Sequence, residues 1–318
     1  MDFSECFLSS RAMLMEGALG ERLKREYGLA FDEHVAMAGL VYDAEGSKAL
    51  RALWTEYREI ACRYRLPFLA ATPTRRANRD RVAKSRFDPS IIKDNVDFLN
   101  NLKRGCTVPM FTGGLMGCKG DAYQGDDSLS VDKAREFHLW QAELFQKAGA
   151  DYLYAGIMPA LPEAVGMAQA METTGLPYII SFMIRKNGRL MDGTSIHDAI
   201  LAIDGAVSRK PVCYMTNCVH PLVLREALLT PMNQTPAVKE RFLGIQANTS
   251  PLPPEALDGS CALQASGAKA LADAMAALAG AMDIKIYGGC CGTDGSHMEE
   301  ISKIISNHPA SASSVSTI

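Results

Sequence analysis

Three cysteines in two short motifs have the residue type and the setting for metal chemistry. Cys218 follows an asparagine in the run TNCVHP, and Cys290 and Cys291 are adjacent in the run GGCCGT. Adjacent cysteines form an ordinary disulfide only with strain, because the peptide between them holds the side chains apart. Both thiols can still point at one metal ion if the backbone turns sharply, and the glycines at 288, 289 and 292 would permit such a turn.

If these three thiols meet, they suit a zinc ion with one open coordination position. Three thiolates give Zn²⁺ a net charge of −1, so the metal would activate water poorly. A substrate thiol in the open position would be held as an electron-rich thiolate, which favours alkyl transfer to sulfur over hydrolysis. The residues alone leave two other interpretations open, namely three buried core cysteines or a redox pair.

The elements that must position these motifs alternate between short apolar runs and longer amphipathic ones. Strands are predicted at 12–15, 67–71, 108–112, 151–155, 177–182, 211–216, 242–247 and 283–287. Helices are predicted at 46–65, 88–104, 131–148, 161–174, 195–208, 222–229, 264–281 and 295–306. Nearly continuous apolar strands are typical of a parallel sheet that is buried on both faces. Eight strand–helix units therefore predict an α/β protein with a single (β/α)8 barrel over 1–307, rather than an open doubly wound sheet.

Composition and charge exclude several classes of protein. The chain has 318 residues, of which 47% are hydrophobic and 22% charged, so it is neither disordered nor fibrous. The net charge of −3 predicts no nucleic-acid-binding face. The sequence shows no secretory signal and no apolar run long enough for a membrane span, so we expect a soluble cytoplasmic protein. Residues 308–318 are small and polar and are predicted to be a disordered tail.

The remaining cysteines have no comparable setting. Nine cysteines is an odd number and a low density, which indicates a reducing compartment and free thiols. Those outside the two motifs are predicted to pack as small hydrophobic residues: Cys6, Cys62, Cys106, Cys118, Cys213 and Cys261.

In a barrel the site lies at the carboxyl ends of the strands, so two asparagines there are further candidates. Asn217 precedes a candidate ligand and is predicted to orient it or to line the site. Asn248 follows the seventh predicted strand and is predicted to contact the substrate.

Six segments together resemble the homocysteine S-methyltransferase family. They are GALGERL, TPTRRAN, TNCVHP and GGCCGT, with GGLMGCKGDAY and PYIISFMIRKNGRLMDGTSIHDAI, so the similarity runs from about residue 13 to residue 304. The resemblance implies a zinc-bearing (β/α)8 barrel that moves a methyl group to homocysteine in methionine biosynthesis. The implied donors are sulfonium or ammonium compounds such as S-methylmethionine or betaine.

The resemblance also implies roles for particular residues. Cys218, Cys290 and Cys291 correspond to the zinc ligands of the family and are thus the catalytic residues. The first family motif, whose backbone amides hold the carboxylate of the amino-acid substrate, matches Gly17 and Ala18.

Two segments depart from the family pattern. Gly156 stands where the family has a glutamate that receives the substrate ammonium, and Arg75 and Arg76 lie where a Thr-Asn-Thr-Phe-like run is usual. A lost carboxylate and two added guanidinium groups favour a thiol that bears a carboxylate and no ammonium. If another acid such as Glu163 or Asp121 receives the ammonium, homocysteine remains the acceptor.

Glu16 replaces the aspartate that is more usual in the first family motif. We expect this carboxylate either to contact the cationic methyl donor or to cap the turn that follows the first strand.

The sequence therefore predicts a zinc-dependent S-methyltransferase whose partners are a small-molecule thiol and a methyl donor. The chain ends soon after the eighth strand, so no cobalamin- or folate-binding module is expected and a sulfonium donor is the default. One alternative is a methyl-transfer subunit that works with a separate corrinoid protein. A second is a non-catalytic sensor of zinc or thiols. A homo-oligomer is compatible with either.

Overall fold

Eight parallel strands close into one barrel in the computed structural model, which describes residues 1–123, 127–252 and 266–307. Each strand pairs with its sequence neighbours, and the first pairs with the eighth. The strands are β1 (Met13–Met15), β2 (Phe68–Ala71), β3 (Met110–Gly117), β4 (Tyr152–Met158), β5 (Tyr178–Phe182), β6 (Cys213–Val219), β7 (Phe242–Ala247) and β8 (Ile286–Gly289). The predicted (β/α)8 barrel is confirmed.

Helices surround this barrel. In the described ranges the α-helices are α1 (Phe3–Ser9), α2 (Gly20–Arg25), α3 (Ala44–Arg63), α4 (Arg79–Lys84), α5 (Ser90–Lys103), α6 (Val131–Ala148), α7 (Leu161–Glu172), α8 (Ile196–Ala206), α9 (Pro221–Leu228), α10 (Pro236–Arg241), α11 (Ala268–Ala279) and α12 (Gly295–Asn307). Two 3₁₀ helices span Met37–Tyr42 and Pro231–Asn233. Within those ranges, none of the helices combines the length and the apolar character needed to cross a bilayer.

Each of the eight predicted helices corresponds to an observed helix, and these are α3, α5, α6, α7, α8, α9, α11 and α12. The helices that the sequence analysis missed, α1, α2, α4 and α10, have only six or seven residues, too few to establish a 3.6-residue periodicity. Cys261, the first residues of the helix predicted at 264–281 and the tail predicted at 308–318 lie outside the described residues.

Four strands run further toward the mouth of the barrel than predicted. β3 continues to Gly117, β4 to Met158, β6 to Val219 and β8 to Gly289, so the prediction that Gly156 and Asn217 follow their strands was wrong. β4 and β6 extend through irregular positions where the register shifts while pairing continues. Such bulges keep a strand in the sheet and change the direction of one side chain, which a strict two-residue alternation does not reveal.

The core has two layers separated by the sheet. Alternate strand residues such as Met13, Met15 and Met215 fill the barrel, whereas Leu14 and its equivalents pack outward against the helices. The inner cluster continues into Phe3 of α1, which precedes β1 and closes the amino-terminal end of the barrel. The candidate site lies at the opposite end of the barrel, where the strands end.

Phe3 provides a test of this closure. Its ring is buried, stacks on Tyr152 with 4.6 Å between ring centroids and meets Phe111 edge-on at 5.6 Å. We expect Phe3→Ala to lower the free energy of unfolding by about 3–5 kcal/mol, because it opens a cavity among large side chains. Urea unfolding measures the change, and Leu8→Ala on the same helix is the control, since Leu8 is 79% exposed. Equal effects of the two substitutions would contradict the closure.

Candidate active site

The three motif cysteines meet at the mouth of the barrel. The Cys218 Sγ lies 2.8 Å from the Cys290 Sγ and 3.6 Å from the Cys291 Sγ, and all three sulfurs lie within 4.8 Å of one another. A tetrahedral zinc ion with Zn–S bonds of about 2.3 Å separates its sulfur ligands by about 3.8 Å. The Cys218–Cys290 pair would have to open by roughly 1 Å on binding. The three thiols therefore fit a metal ion with little rearrangement.

Cys218 reaches this position because it is the extra residue of a bulge in β6. Asn217 pairs with Gln246 and Val219 pairs with Ala247, so Cys218 has no partner in β7. Its φ is 62°, in the left-handed region that residues other than glycine rarely adopt. This conformation aims the side chain at the cysteines that follow β8.

The turn after β8 brings Cys290 and Cys291 to the same side. Gly292 has φ 83°, and a Cβ there would lie 2.0 Å from the Thr249 Oγ1, so only glycine fits. Gly288 and Gly289 were predicted to permit the turn through their conformational freedom, but neither has a positive φ. Glycine is required at both positions for lack of space instead, because a Cβ would lie within 3 Å of neighbouring side chains. The Gly292 N–H donates to the Glu21 Oε2 at 2.7 Å, which fixes the turn from outside.

Hydrogen-bond contacts link the Cys218 thiol to both of the other thiols. These contacts hold the pKa of Cys218 well below its usual range and raise the pKa values of Cys290 and Cys291. The Tyr123 hydroxyl also donates to the Cys218 Sγ, at 3.5 Å. Cys218 is therefore the most readily ionised of the three thiols, and binding a metal to all three sulfurs would require each of them to be deprotonated.

Gly17 and Ala18, predicted to hold a carboxylate, lie beside the cysteine turn. The Ala18 N–H donates to the Thr293 Oγ1 at 2.9 Å, and that hydroxyl donates to the Cys290 carbonyl at 2.7 Å. The Ala18 carbonyl accepts from Tyr57, whose ring leaves no room for a Cβ at Gly17. Thr293 thus ties the first motif directly to the cysteines.

Glu16 is buried at the end of β1. One carboxylate oxygen accepts from the Ala71 N–H at 3.1 Å, and the other accepts from the Gln246 side chain at 3.5 Å. Burial raises the pKa of Glu16 from 4.5 to about 7, because these two hydrogen bonds replace only part of the lost hydration of the anion. Near neutral pH this carboxyl is therefore poised between its acid and its anion.

Asn217 joins three strands at the mouth. Its Oδ1 accepts from the Ser181 hydroxyl at 2.6 Å and from the Ile157 N–H at 3.0 Å. Ile157 is itself at a left-handed position, with φ 56°, within the irregular part of β4. A Cβ at Gly156 would lie 3.8 Å from the Asn217 Nδ2, so the position of the missing family glutamate faces this same region.

The side chains of Asn248, His220 and His297 form hydrogen bonds within the protein. The Asn248 Oδ1 accepts from the Ser250 N–H and closes a turn after β7. His220 caps the start of α9, and His297 bonds to Asp294 and to the Ser266 carbonyl. Asn248 nevertheless lies buried at the end of β7, next to β8 and its cysteine turn.

Arg75 and Arg76 lie half-buried on the turn that follows β2. Burial and repulsion from Arg81 and Arg75 lower the pKa of Arg76. Within the ranges that the structure describes, neither guanidinium group forms a hydrogen bond or an ion pair. Asp121 offsets part of the charge on Arg76, and the turn as a whole presents positive charge, which favours an anionic group.

A sequence model of the homocysteine S-methyltransferase family matches residues 13–305, nearly the whole chain. This protein belongs to the homocysteine S-methyltransferase family. It is therefore an S-methyltransferase, and its chemistry is methyl transfer to a thiol. No relative among curated proteins matches the chain.

Solved structures of a homocysteine methyltransferase, MmuM from Escherichia coli, share the fold. The metallated form is 19% identical with a TM-score of 0.73, and the match covers 94% of this chain and 98% of that chain. The oxidised form is also 19% identical, with a TM-score of 0.71 and coverage of 93% and 96%. At this identity the likeness establishes the barrel and its helices.

Two residues near the cysteines differ from the sequence analysis: Tyr123 was not predicted there, and Glu163 was considered only as an acid that receives an ammonium group. Glu163 is buried in α7 and accepts from the Lys119 N–H at 2.7 Å, from the Leu129 N–H at 3.4 Å and from His138 at 2.9 Å. These bonds anchor both ends of the segment that places Tyr123 beside Cys218. Apart from the run GGLMGCKGDAY, no local pattern marks either residue, because their partners lie on other elements.

The buried carboxyl of Glu16 makes stability depend on pH. The folded protein binds the Glu16 proton more tightly than the unfolded chain does. The contribution of protonated Glu16 to the free energy of unfolding is therefore complete below pH 4.5, falls between about 4.5 and 7, and is lost above 7. Between pH 4.5 and 8, we expect the free energy of unfolding of the zinc-free wild type to fall by about 3 kcal/mol more than that of Glu16→Gln. Urea unfolding at pH 4.5 and 8 measures the difference, with Glu33→Gln as an exposed control. If the free energies of unfolding of wild type and Glu16→Gln changed in parallel with pH, the expected role of Glu16 would be refuted.

Proposed function

We propose that the protein is a zinc-dependent S-methyltransferase that transfers a methyl group from a sulfonium or ammonium donor to a carboxylate-bearing thiol. In this proposal Cys218, Cys290 and Cys291 are the zinc ligands and the catalytic residues. The observation that supports it is the convergence of three sulfurs within 4.8 Å at the mouth of the barrel. The metallated homocysteine methyltransferase of Escherichia coli with the same fold is consistent with a bound metal here.

Zinc, when bound, would hold the acceptor sulfur as a thiolate at neutral pH and so remove the need for a general base. The chain prepares the site by fixing its ligands before the metal arrives. Thr293 and Glu21 hold the cysteine turn through the Cys290 carbonyl and the Gly292 amide. Tyr123 donates a hydrogen bond to Cys218, which would offset part of the excess negative charge of three thiolates.

The donor and the acceptor are proposed to approach this centre from neighbouring strand ends. Glu16, in its anionic form, would attract the positive charge of a sulfonium donor, and such a donor is our default. Gly17 and Ala18 would border the acceptor, although the Ala18 N–H already bonds to Thr293. Asn217 and Asn248 would line the mouth of the barrel at the carboxyl ends of β6 and β7.

The acceptor is proposed to be recognised through its carboxylate rather than through an ammonium. Gly156 supplies no acid, and the two acids that could replace it are placed otherwise. Glu163 is saturated by two backbone amides and His138, while Asp121 is exposed and accepts from the Tyr123 N–H. Arg75 and Arg76 are the proposed partners of the acceptor carboxylate.

Metal content tests the proposed zinc ligands. Purified protein is expected to contain close to one zinc per chain by elemental analysis, because three thiolates and one exchangeable position suffice for tight binding. Cys290→Ser and Cys291→Ser should each lower the zinc content severalfold, since a serine hydroxyl is a poor zinc ligand. Cys62→Ser, on a helix outside the barrel, is the matched control. Full zinc content in both motif variants would disprove the assignment.

Acceptor preference tests the proposed pocket. Without an acid at position 156, the homocysteine ammonium loses a charge-assisted hydrogen bond of about 1.5–3 kcal/mol, or roughly ten- to hundredfold in binding. We expect kcat/KM to be higher for 3-mercaptopropionate than for homocysteine with one shared methyl donor. Gly156→Glu should shift the ratio toward homocysteine, since the Cβ meets only the movable end of Leu115 within 3 Å.

A clear preference of the wild-type protein for homocysteine would reject the altered pocket but leave the methyltransferase proposal intact. Turnover with a free sulfonium donor would in addition exclude a sensor and a subunit that depends on a corrinoid protein. Zinc binding without turnover of any thiol would reject the proposed function.

A further inference from the structure

A second pair of cysteines meets at the opposite end of the barrel from the zinc-site candidates. Cys62 lies in the last turn of α3, just before β2, and Cys106 lies between α5 and β3. Connections that precede parallel strands gather at the amino-terminal end of the barrel, whereas the site occupies the carboxyl ends. The two groups of sulfurs are therefore separated by the length of the barrel.

The two thiols are close together and accessible. Their sulfurs lie 3.6 Å apart, and both residues are half-buried. Cys106 packs against the outer core as predicted, but neither residue is fully buried. Cys6 and Cys213, in comparison, are buried, and neither contacts another cysteine sulfur within the described residues. Cys62 and Cys106 are separated by 44 positions in the chain, so only the fold brings them together.

The surroundings distinguish the two sulfurs. Burial acts to raise the pKa of Cys62, but hydrogen bonds from Thr107 and from the Cys106 thiol outweigh it and leave that pKa below its usual value. Burial raises the pKa of Cys106. Cys62 is therefore the more readily ionised thiol, and a thiolate is the form that attacks an oxidant.

We propose that Cys62 and Cys106 are a redox modification site, at which a peroxide converts the two thiols into a reversible intramolecular disulfide. In the first step the Cys62 thiolate attacks one peroxide oxygen, the O–O bond breaks, and the leaving hydroxide takes a proton to become water. The Cys106 sulfur then attacks the resulting sulfenic acid, the S–O bond breaks, and a second water leaves with the Cys106 proton. Two electrons pass from the sulfurs to the peroxide, and an external thiol reverses the change.

The backbone around Cys106 allows the sulfurs to close from 3.6 Å to the disulfide length of about 2.05 Å. Cys106 lies outside regular structure, directly after Gly105, which has φ 81° and open space on the side where a Cβ would project. The new bond would tie the end of α3 to the segment that precedes β3 and enclose β2, α4 and α5.

Peptide mapping tests the site on the folded, zinc-loaded protein, in which the metal protects the mouth cysteines. After one to two equivalents of hydrogen peroxide, non-reducing digestion should yield a peptide that links Cys62 to Cys106, and dithiothreitol should remove it. We expect Cys62 to be oxidised at least about tenfold faster than the buried Cys213 in the same sample, because thiolate character and access govern the rate. Cys62→Ser should abolish the linked peptide.

Cys106→Ser supplies the matched variant, because it leaves the nucleophile without its resolving thiol. In this variant dimedone should trap a sulfenic acid at Cys62. Absence of the linked peptide in wild type, or oxidation of Cys62 no faster than that of Cys213, would overturn the proposal. Since the readout is a covalent linkage, the result is independent of the proposed methyltransferase activity.

Discussion

The bulge at Cys218 is the constraint on which the mouth of this barrel depends. A left-handed backbone at a residue other than glycine costs on the order of 1–3 kcal/mol, so the surrounding pairing must impose it. Here β7 continues its ladder on both sides of the bulge, and the Asn217 side chain bonds to β4 and β5. Without that conformation, the Cys218 thiol would follow the two-residue alternation of the strand, away from the cysteines after β8.

Buried polar groups then connect the segments around this mouth. Thr293 joins the first motif to the cysteine turn, and Glu163 joins both ends of the segment that includes Tyr123. Because a buried donor or acceptor without a partner is costly, each such group favours the observed position of the residues that it bonds. The three cysteines and their neighbours are thereby arranged before any substrate binds, which limits the reorganisation that methyl transfer would require.

The two ends of the barrel give their cysteines different chemistry. At the mouth, three sulfurs lie within 4.8 Å of one another, in an arrangement that fits a metal ion. At the amino-terminal end, the sulfurs of Cys62 and Cys106 contact each other, Thr107 hydrogen-bonds to Cys62, and both cysteines are only half-buried. Inside the barrel, desolvation outweighs the hydrogen bonds of Glu16 and raises its pKa to about 7, so this carboxyl is poised between its acid and its anion near neutral pH.

The barrel could be predicted from the sequence, because alternating apolar strands and amphipathic helices are local patterns. The three candidate cysteines and the family could be predicted as well, since both rest on contiguous motifs such as TNCVHP and GGCCGT. The folded chain was needed to show that Cys218 lies within a strand, that Tyr123 contacts it, and that Cys62 meets Cys106. These features depend on contacts between residues far apart in the chain, and a local pattern contains no information about which distant residues closure of the barrel will bring together.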